Sequence, residues 1–302
     1  MIARQHLLTM AGPHRAPIPD RNPIRHNHQS RIADEKGSRC VPLALHFMAA
    51  AHPGQRSRYG EAVRVREIWR FPVKSMQGER LDAAEVEPQG LRGDRAFALF
   101  DTQTGFGLTA RRVPQLLFAA AVYRDDGSVT ITLPNGTTAD DDQALSDWLA
   151  RPVTLRAAAE PGERVFENPA DFEHDARWEP FNGSTGAFHD SGQANVSLLS
   201  LATIAGWPRR RFRANVILDS AGEDALVGSR VRLGNAELDV RQQIERCVMI
   251  TRPQPEGIDG SIEKNLDVLR TIHRERDSCL AIGATVATPG LFEVGEELDG
   301  LR

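Results

Sequence analysis

Residues 65–75 read Val65-Arg66-Glu67-Ile68-Trp69-Arg70-Phe71-Pro72-Val73-Lys74-Ser75. Apolar and polar side chains alternate there with a period close to two, the mark of a half-buried strand. Pro72 has no amide hydrogen for a ladder and ends the strand. The chain then turns, and the turn carries Lys74 and Ser75, an ammonium and a hydroxyl able to face an anion. A merely solvated turn is the alternative.

The same pattern of short strands and turns continues outward. Ala96–Phe100, Leu116–Tyr123 and Val129–Leu133 read as strands, separated by turn signals at Gln89-Gly90, Asp126-Gly127 and Asn135-Gly136. Asp141–Ala150 reads as a helix that opens on acidic residues and stops before Pro152. Residues 160–192 read as polar and irregular, the expected internal boundary. Beyond it come an apolar, helix-like run Val196–Trp207, then strands at Phe212–Leu218, Arg230–Leu233, Glu237–Arg241 and Cys247–Thr251. Ile262–Arg276 has helical spacing, with Leu266, Leu269 and His273 on one side, and the strands Leu280–Val286 and Leu291–Leu298 close the chain. Many short strands and few helices predict a mainly β (α+β), barrel-like architecture and not a doubly wound α/β sheet.

Composition limits the function classes. The 302 residues are 40% hydrophobic and 26% charged, which suits a globular protein, and no apolar run approaches a membrane span. A net charge of −4 gives no reason to expect nucleic acid. Residues 1–60 differ from the rest: nine Lys/Arg against three Asp/Glu, with six of the nine His. That segment is expected to be a disordered or non-native extension, with Met48 as an alternative start. A signal peptide at Val41–Ala51 is the weaker reading, since the run begins forty residues in and contains His46. Cys40, Cys247 and Cys279 form no CxxC and no even framework, which argues against a disulfide scaffold or a Cys-rich zinc site. A reducing cytoplasm with a usable free thiol is the expectation.

Four clusters place basic or thiol chemistry beside strand ends. Lys74-Ser75 is the first. The second is Gly90-Leu91-Arg92-Gly93-Asp94-Arg95, in which glycines allow close backbone approach and Arg offers a planar fork of donors to phosphate or carboxylate. Thr109-Ala110-Arg111-Arg112 adds two guanidinium groups. The third is Arg209-Arg210-Arg211-Phe212-Arg213-Ala214-Asn215, where strand alternation would put Arg211, Arg213 and Asn215 on one face. The fourth is Glu245-Arg246-Cys247, a thiol whose pKa an adjacent guanidinium should depress, making thiolate available as a nucleophile or soft metal ligand. Cys279 reads as an inert core residue. Phe188-His189-Asp190 is a weak acid–base candidate, because neighbours on a strand point apart. GxSxG, HExxH, P-loop and strand–helix GxGxxG motifs do not occur.

Together these clusters resemble the MOSC superfamily, and within it the branch of the amidoxime reducing component and its bacterial relatives. The resemblance runs from about Val63 to about Leu298, on FPVKSMQGE (71–79), GLRGDRAFAL (90–99), TARRVPQL (109–116), LLSLATI (198–204), RFRANVILD (211–219), ERCVMIT (245–251) and PGLFEVGEEL (289–298). It implies a MOSC N-terminal β-barrel domain at 61–160 and a MOSC domain at 161–302. It also implies a molybdenum–pterin cofactor whose metal is held by Cys247. Lys74, Ser75 and Arg95 match positions that hold the pterin and its phosphate, with Thr109 and Arg111 nearby. Ser200, Arg213, Asn215 and Arg246 match those completing the pocket from the second half. Ala214 stands where the family usually has Pro. Neither the pyridoxal-phosphate domain nor the iron–sulfur domain of some relatives is matched, so neither group is expected in this chain.

The activity implied is reduction of small N-hydroxylated or N-oxide compounds, with electrons from a separate electron-transfer protein and no nucleic-acid or membrane partner. A carrier of molybdenum cofactor or of sulfur, without its own turnover, is the alternative, and a plain β-rich binding protein the third.

Overall fold

The computed structural model describes residues 62–301 apart from 171–176 and Ala205. The expectations for residues 1–60, including Met48 and Cys40, lie outside it. The described chain is mainly β, organised around an eight-stranded curled sheet. Its strands run in the order Leu298–Leu301, Arg230–Leu233, Ala236–Glu245, Cys279–Thr288, Val196–Ser200, Val216–Leu218, Val65–Arg70 and Glu79–Leu81. Neighbours are antiparallel except Val196–Ser200 and Val216–Leu218, which run parallel.

The two halves of the chain therefore share one sheet. Val65–Arg70 pairs with Val216–Leu218, matching Ile68 to Val216 and Val65 to Leu218. Ile68, Leu198, Val216, Val231 and Leu238 meet in one core beneath that seam, each such burial contributing about 1.5–3 kcal/mol. A second core, with Val73, Met76, Leu99, Leu116 and Leu145, belongs to the first half. There Phe97–Asp101 pairs with Val153–Ala157, and Ala120–Tyr123 with Val129–Thr132.

The Asp142–Leu149 helix forms where the sequence places it. Asp141 Oδ1 accepts from Ala144 N at 2.8 Å, and Ala150 closes the helix in the left-handed region. Elsewhere the structure departs from the sequence reading. Val196–Trp207 is a strand, Val196–Ser200, followed by one helical turn at Leu201–Ile204. All five strand residues are buried between two neighbouring strands, so the run lacks the polar alternation that separates strand from helix. Leu116–Tyr123 divides into a 3-10 turn, Pro114–Phe118, and the strand Ala120–Tyr123. The later helix spans Asp267–Glu275 and buries Val268, Leu269 and Ile272, since Leu266 precedes the helix and lies off its inner face. Residues 160–192 are irregular only in part: the described residues of 183–192 form neither strand nor helix, but a hairpin precedes them. Val165–Pro169 pairs with Trp178–Asn182, and Phe166 and Phe188 pack against Phe100.

The backbone at Gly90 requires glycine. Its φ is +117°, and an added Cβ would lie 2.6 Å from the Asn195 carbonyl oxygen. Gly90→Ala is expected to cost about 2 kcal/mol or more, read as a lower midpoint in thermal unfolding.

Candidate functional site

Lys74 and Ser75 do sit in a turn after the first strand, but Lys74 is buried there. Its Nζ donates to the Phe188 carbonyl at 2.7 Å, pairs with Asp190 at 2.5 Å and lies 4.8 Å from the Phe166 ring centre. Burial pushes the Lys74 pKa below its usual value, with the Arg111 charge adding to that effect and Asp190 opposing it. Ser75 Oγ accepts from Ala110 N at 2.9 Å and so ties this turn to the Thr109–Arg112 turn. Thr109 is buried in the latter, where its carbonyl accepts from Arg112 and Val113.

Arg111 extends from that turn to the thiol. Its Nε donates to Cys247 Sγ at 3.4 Å, Nη2 pairs with Asp190, and Nη1 is buried without a partner. Burial opposes the charge on Arg111, but Asp190 and Cys247 outweigh it and hold the pKa above the usual value. Cys247 is half-buried and is the free thiol among the described residues. It opens a 3-10 turn, Val248–Thr251, where a strand was expected; that turn makes Cys247 a cap with extended backbone. Cys279 is buried in a central strand and is not a free thiol.

Arg246 is buried beside the thiol. Nε donates to Leu280 O at 2.7 Å, Nη1 to Phe212 O at 3.0 Å, and Nη2 has no partner. Burial pushes its pKa down to about 10, against the pull of Cys247, and that still leaves it charged at neutral pH. Arg213 does not share a strand face with Arg211. It is left-handed (φ 52°) after the 3-10 turn Arg209–Phe212, so the two side chains diverge. Arg211 donates to Ile250 O at 3.1 Å, whereas Arg213 donates to Met76 O and lies 4.3 Å from the Phe71 ring centre. Burial pushes the Arg213 pKa down to about 9, the Arg95 charge adding to the effect.

Arg95 lies over the same ring at 4.4 Å and pairs with Asp94 at 2.6 Å. Asp94, 2% exposed, also accepts from Phe71 N at 2.7 Å and from Asn215 Nδ2 at 3.0 Å. Asn215 is saturated: Oδ1 accepts from Ser197 N and Oγ, and Nδ2 donates to Trp69 O and Asp94. It has no hydrogen bond left for a ligand and acts as a pin between the halves. Ser200 is buried beside Glu223. Its backbone N donates to Glu223 at 3.2 Å, and its buried Oγ has no partner.

Three of these residues, Ser75, Arg95 and Arg213, have φ of 70°, 50° and 52°. Such backbone costs about 1–3 kcal/mol apiece and persists where surrounding structure enforces it. Lys74 and Arg111 pair with Asp190 and Arg95 with Asp94, while the Arg213 and Arg246 guanidinium groups bond backbone carbonyls, which leaves an excess of positive charge. The orphaned Arg111 Nη1 and Arg246 Nη2 await acceptors. Beside Arg213 lies a cavity of about 210 Å³ lined by Trp69, Phe71, Ala214, Ile217, Gln254 and Arg210. The arrangement suits an anionic, partly aromatic group. Among the described residues no set of three or more His, Cys, Asp or Glu could cage a metal ion.

A family model of the MOSC N-terminal beta barrel domain matches residues 62–173, and one of the MOSC domain matches residues 191–299. The chain belongs to the MOSC superfamily. The MOSC domain supplies Cys247, Arg246, Arg213 and Asn215, and the N-terminal barrel supplies Lys74, Ser75, Arg95 and Arg111. Mitochondrial amidoxime reducing component 2 of Bos taurus is 40% identical over 80 residues, 25% of this chain and 24% of that protein. Mitochondrial amidoxime-reducing component 1 of Mus musculus is 32% identical over 108 residues, 34% of this chain and 31% of that one. The chain thus spans about a quarter to a third of the length of these curated relatives. The crystal structure of the YuaD protein from Bacillus subtilis aligns with a TM-score of 0.38 at 10% identity, over 80% of this chain and 96% of that one.

The carboxylates were the residues missed in the sequence. Asp94 lies inside the quoted GLRGDR string, so a buried counter-ion for its own arginines was there to be read. Asp190 was visible only as half of an acid–base pair that the structure separates. His189 Nε2 donates to Gln89 O at 3.2 Å while Asp190 faces the cations. Burial pushes the His189 pKa from 6.5 down to about 4, so the fold holds it neutral. Its contribution is intact above pH 6.5 and lost as pH falls toward 4, because the unfolded chain takes the proton first. The loss should reach about 3 kcal/mol. Unfolding midpoints measured from pH 7 to 4 should fall less steeply in His189→Gln than in the wild type.

Proposed function

We propose that this MOSC protein binds a molybdenum–pterin cofactor and reduces small N-hydroxylated or N-oxide compounds with electrons from a separate protein. The observation that carries the reading is the free Cys247 thiol, touched by Arg111 and flanked by buried guanidinium nitrogens without acceptors. A soft thiolate and a surplus of cations are what a metal on an anionic organic ligand requires. The names of the curated relatives support the substrate class.

In this reading Cys247 ligates the metal, and Arg246 and Arg111 flank the thiolate. Lys74, Ser75, Arg95, Thr109 and Arg213 hold the pterin and its phosphate. Ser200 offers its unpartnered hydroxyl, and Asn215 acts through the position it gives Asp94. The proposed division is an N-terminal barrel at 61–160 and a MOSC domain at 161–302, with the protein working in the cytoplasm, where a free thiol survives. Among the described residues no helix is long and apolar enough to cross a membrane.

Bound, the cofactor supplies a two-electron centre that removes oxygen from nitrogen. The balance is R–NH–OH plus two electrons and two protons giving R–NH2 and water. The chain orients the substrate and supplies the electrostatic setting.

Protein from a host that makes the cofactor should carry near-stoichiometric molybdenum and reduce an N-hydroxyamidine with an artificial electron donor. Metal without turnover would favour the carrier reading. An intact fold with no metal, in that host, would overturn the proposal.

A further inference from the structure

Asp190 is the junction through which the site's parts meet, although it is neither a candidate metal ligand nor among the residues expected to hold the pterin. One carboxylate oxygen pairs with Lys74 Nζ and the other with Arg111 Nη2. The cations are nearly closed to solvent, their side chains 7% and 8% exposed, while that of Asp190 is 54% exposed. Lys74 and Arg111 repel one another, and Asp190 is their shared counter-ion. Burial works against the Asp190 charge, but Arg111 and Lys74 outweigh it and hold the carboxyl well below the usual range.

A guanidinium is a rigid group. Its nitrogens are fixed in one plane, so gripping Nη2 sets the direction of Nε–H. Asp190 grips Nη2, and Nε–H is aimed at Cys247 Sγ at 3.4 Å. The N–H···S contact is weak, the Phe181 ring 5.6 Å away is a second contact, and Asp190 adds a charged pair on the same guanidinium. A hydrogen bond to a ligating sulfur draws electron density from it, and partners of that kind tune a bound metal.

We propose that Asp190 is a positioning residue that aims the Arg111 N–H at the Cys247 sulfur and thereby sets the electron density this sulfur donates. The proposal rests on the molybdenum-cofactor reading for its consequence, but the Asp190–Arg111–Cys247 alignment does not depend on it.

The test compares Asp190→Ala, Asp190→Glu and Arg111→Gln with the wild type, each checked for fold by circular dichroism. In holoprotein, Asp190→Ala and Arg111→Gln should shift the electron paramagnetic resonance signal of the metal centre in the same direction. Asp190→Ala should lower kcat about tenfold with KM little changed, and Asp190→Glu should restore part of both. In metal-free full-length protein, the rate of Cys247 alkylation by iodoacetamide at pH 7.5 should change about threefold, in the same direction for Asp190→Ala and Arg111→Gln. A normal signal and alkylation rate in Asp190→Ala, with both altered in Arg111→Gln, would overturn the proposal. So would a rise in KM alone, which would make Asp190 a substrate contact. Absence of metal from the wild type would overturn the functional reading instead, and the alkylation comparison would still decide the role of Asp190.

Discussion

Cys247→Ala should remove at least about nine-tenths of the molybdenum and abolish turnover. The reason is ligand count. Among the described residues no carboxylate or imidazole cluster stands ready to take over the metal, and the thiol is the one free cysteine sulfur there. A change in a partner of a metal ligand typically costs 10–100-fold in affinity or activity, so loss of the ligand itself should exceed that. Pterin should be retained better than metal, because Lys74, Arg95 and Arg213 are untouched. The protein should still fold, since Cys247 is only half-buried and caps a single turn. Metal and pterin per chain by elemental analysis and fluorescence, with turnover on the same samples, check the result. Full activity in Cys247→Ala would sink the assignment.

The second large effect is on stability. Asp94→Ala should destabilise the protein by about 3–5 kcal/mol, the cost of breaking a buried ion pair from one side. The carboxylate serves the Phe71 amide, the Arg95 guanidinium and the Asn215 amide together, with its side chain fully buried. Removing it leaves three buried donors and an uncompensated charge. For a domain of this size the midpoint should drop roughly 10 °C. Asp94→Asn, which can still accept from one or two of these donors, should lie between. A loss below about 1 kcal/mol in Asp94→Ala would show that water replaces the carboxylate.

Much of the fold was readable because its signals are local. Alternation at 65–71 followed by proline gave the first strand and its turn, and Asp141 before a polar–apolar run gave the helix at Asp142–Leu149. Local signals failed where two backbone forms suit the same residues. Val248–Thr251 and Val196–Ser200 are both short apolar runs, yet one is a 3-10 turn and the other a strand, and only their neighbours separate them. The left-handed backbone at Ser75, Arg95 and Arg213 leaves no trace in composition, because none of the three is glycine. At the site, the basic and thiol groups stood out as clusters, whereas their counter-ion Asp190 did not. It lies 116 residues from Lys74 and 79 from Arg111, and no spacing rule links such distances. Asn215 stood inside the RFRAN cluster, but its saturation by Ser197, Trp69 and Asp94 could be seen only in three dimensions.

The seam between Val65–Arg70 and Val216–Leu218 also has a consequence for how the protein is made. A ribosome delivers the first strand about 150 residues before the strand that pairs with it. At roughly 5–20 residues per second, the edge that will meet Val216–Leu218 stays without its native neighbour for about 8–30 s. Through that interval Ile68, which ends fully buried, has no core to enter. Separately expressed halves would keep that exposure indefinitely, so splitting this gene at the boundary between the two matched domains should give two insoluble products rather than two domains.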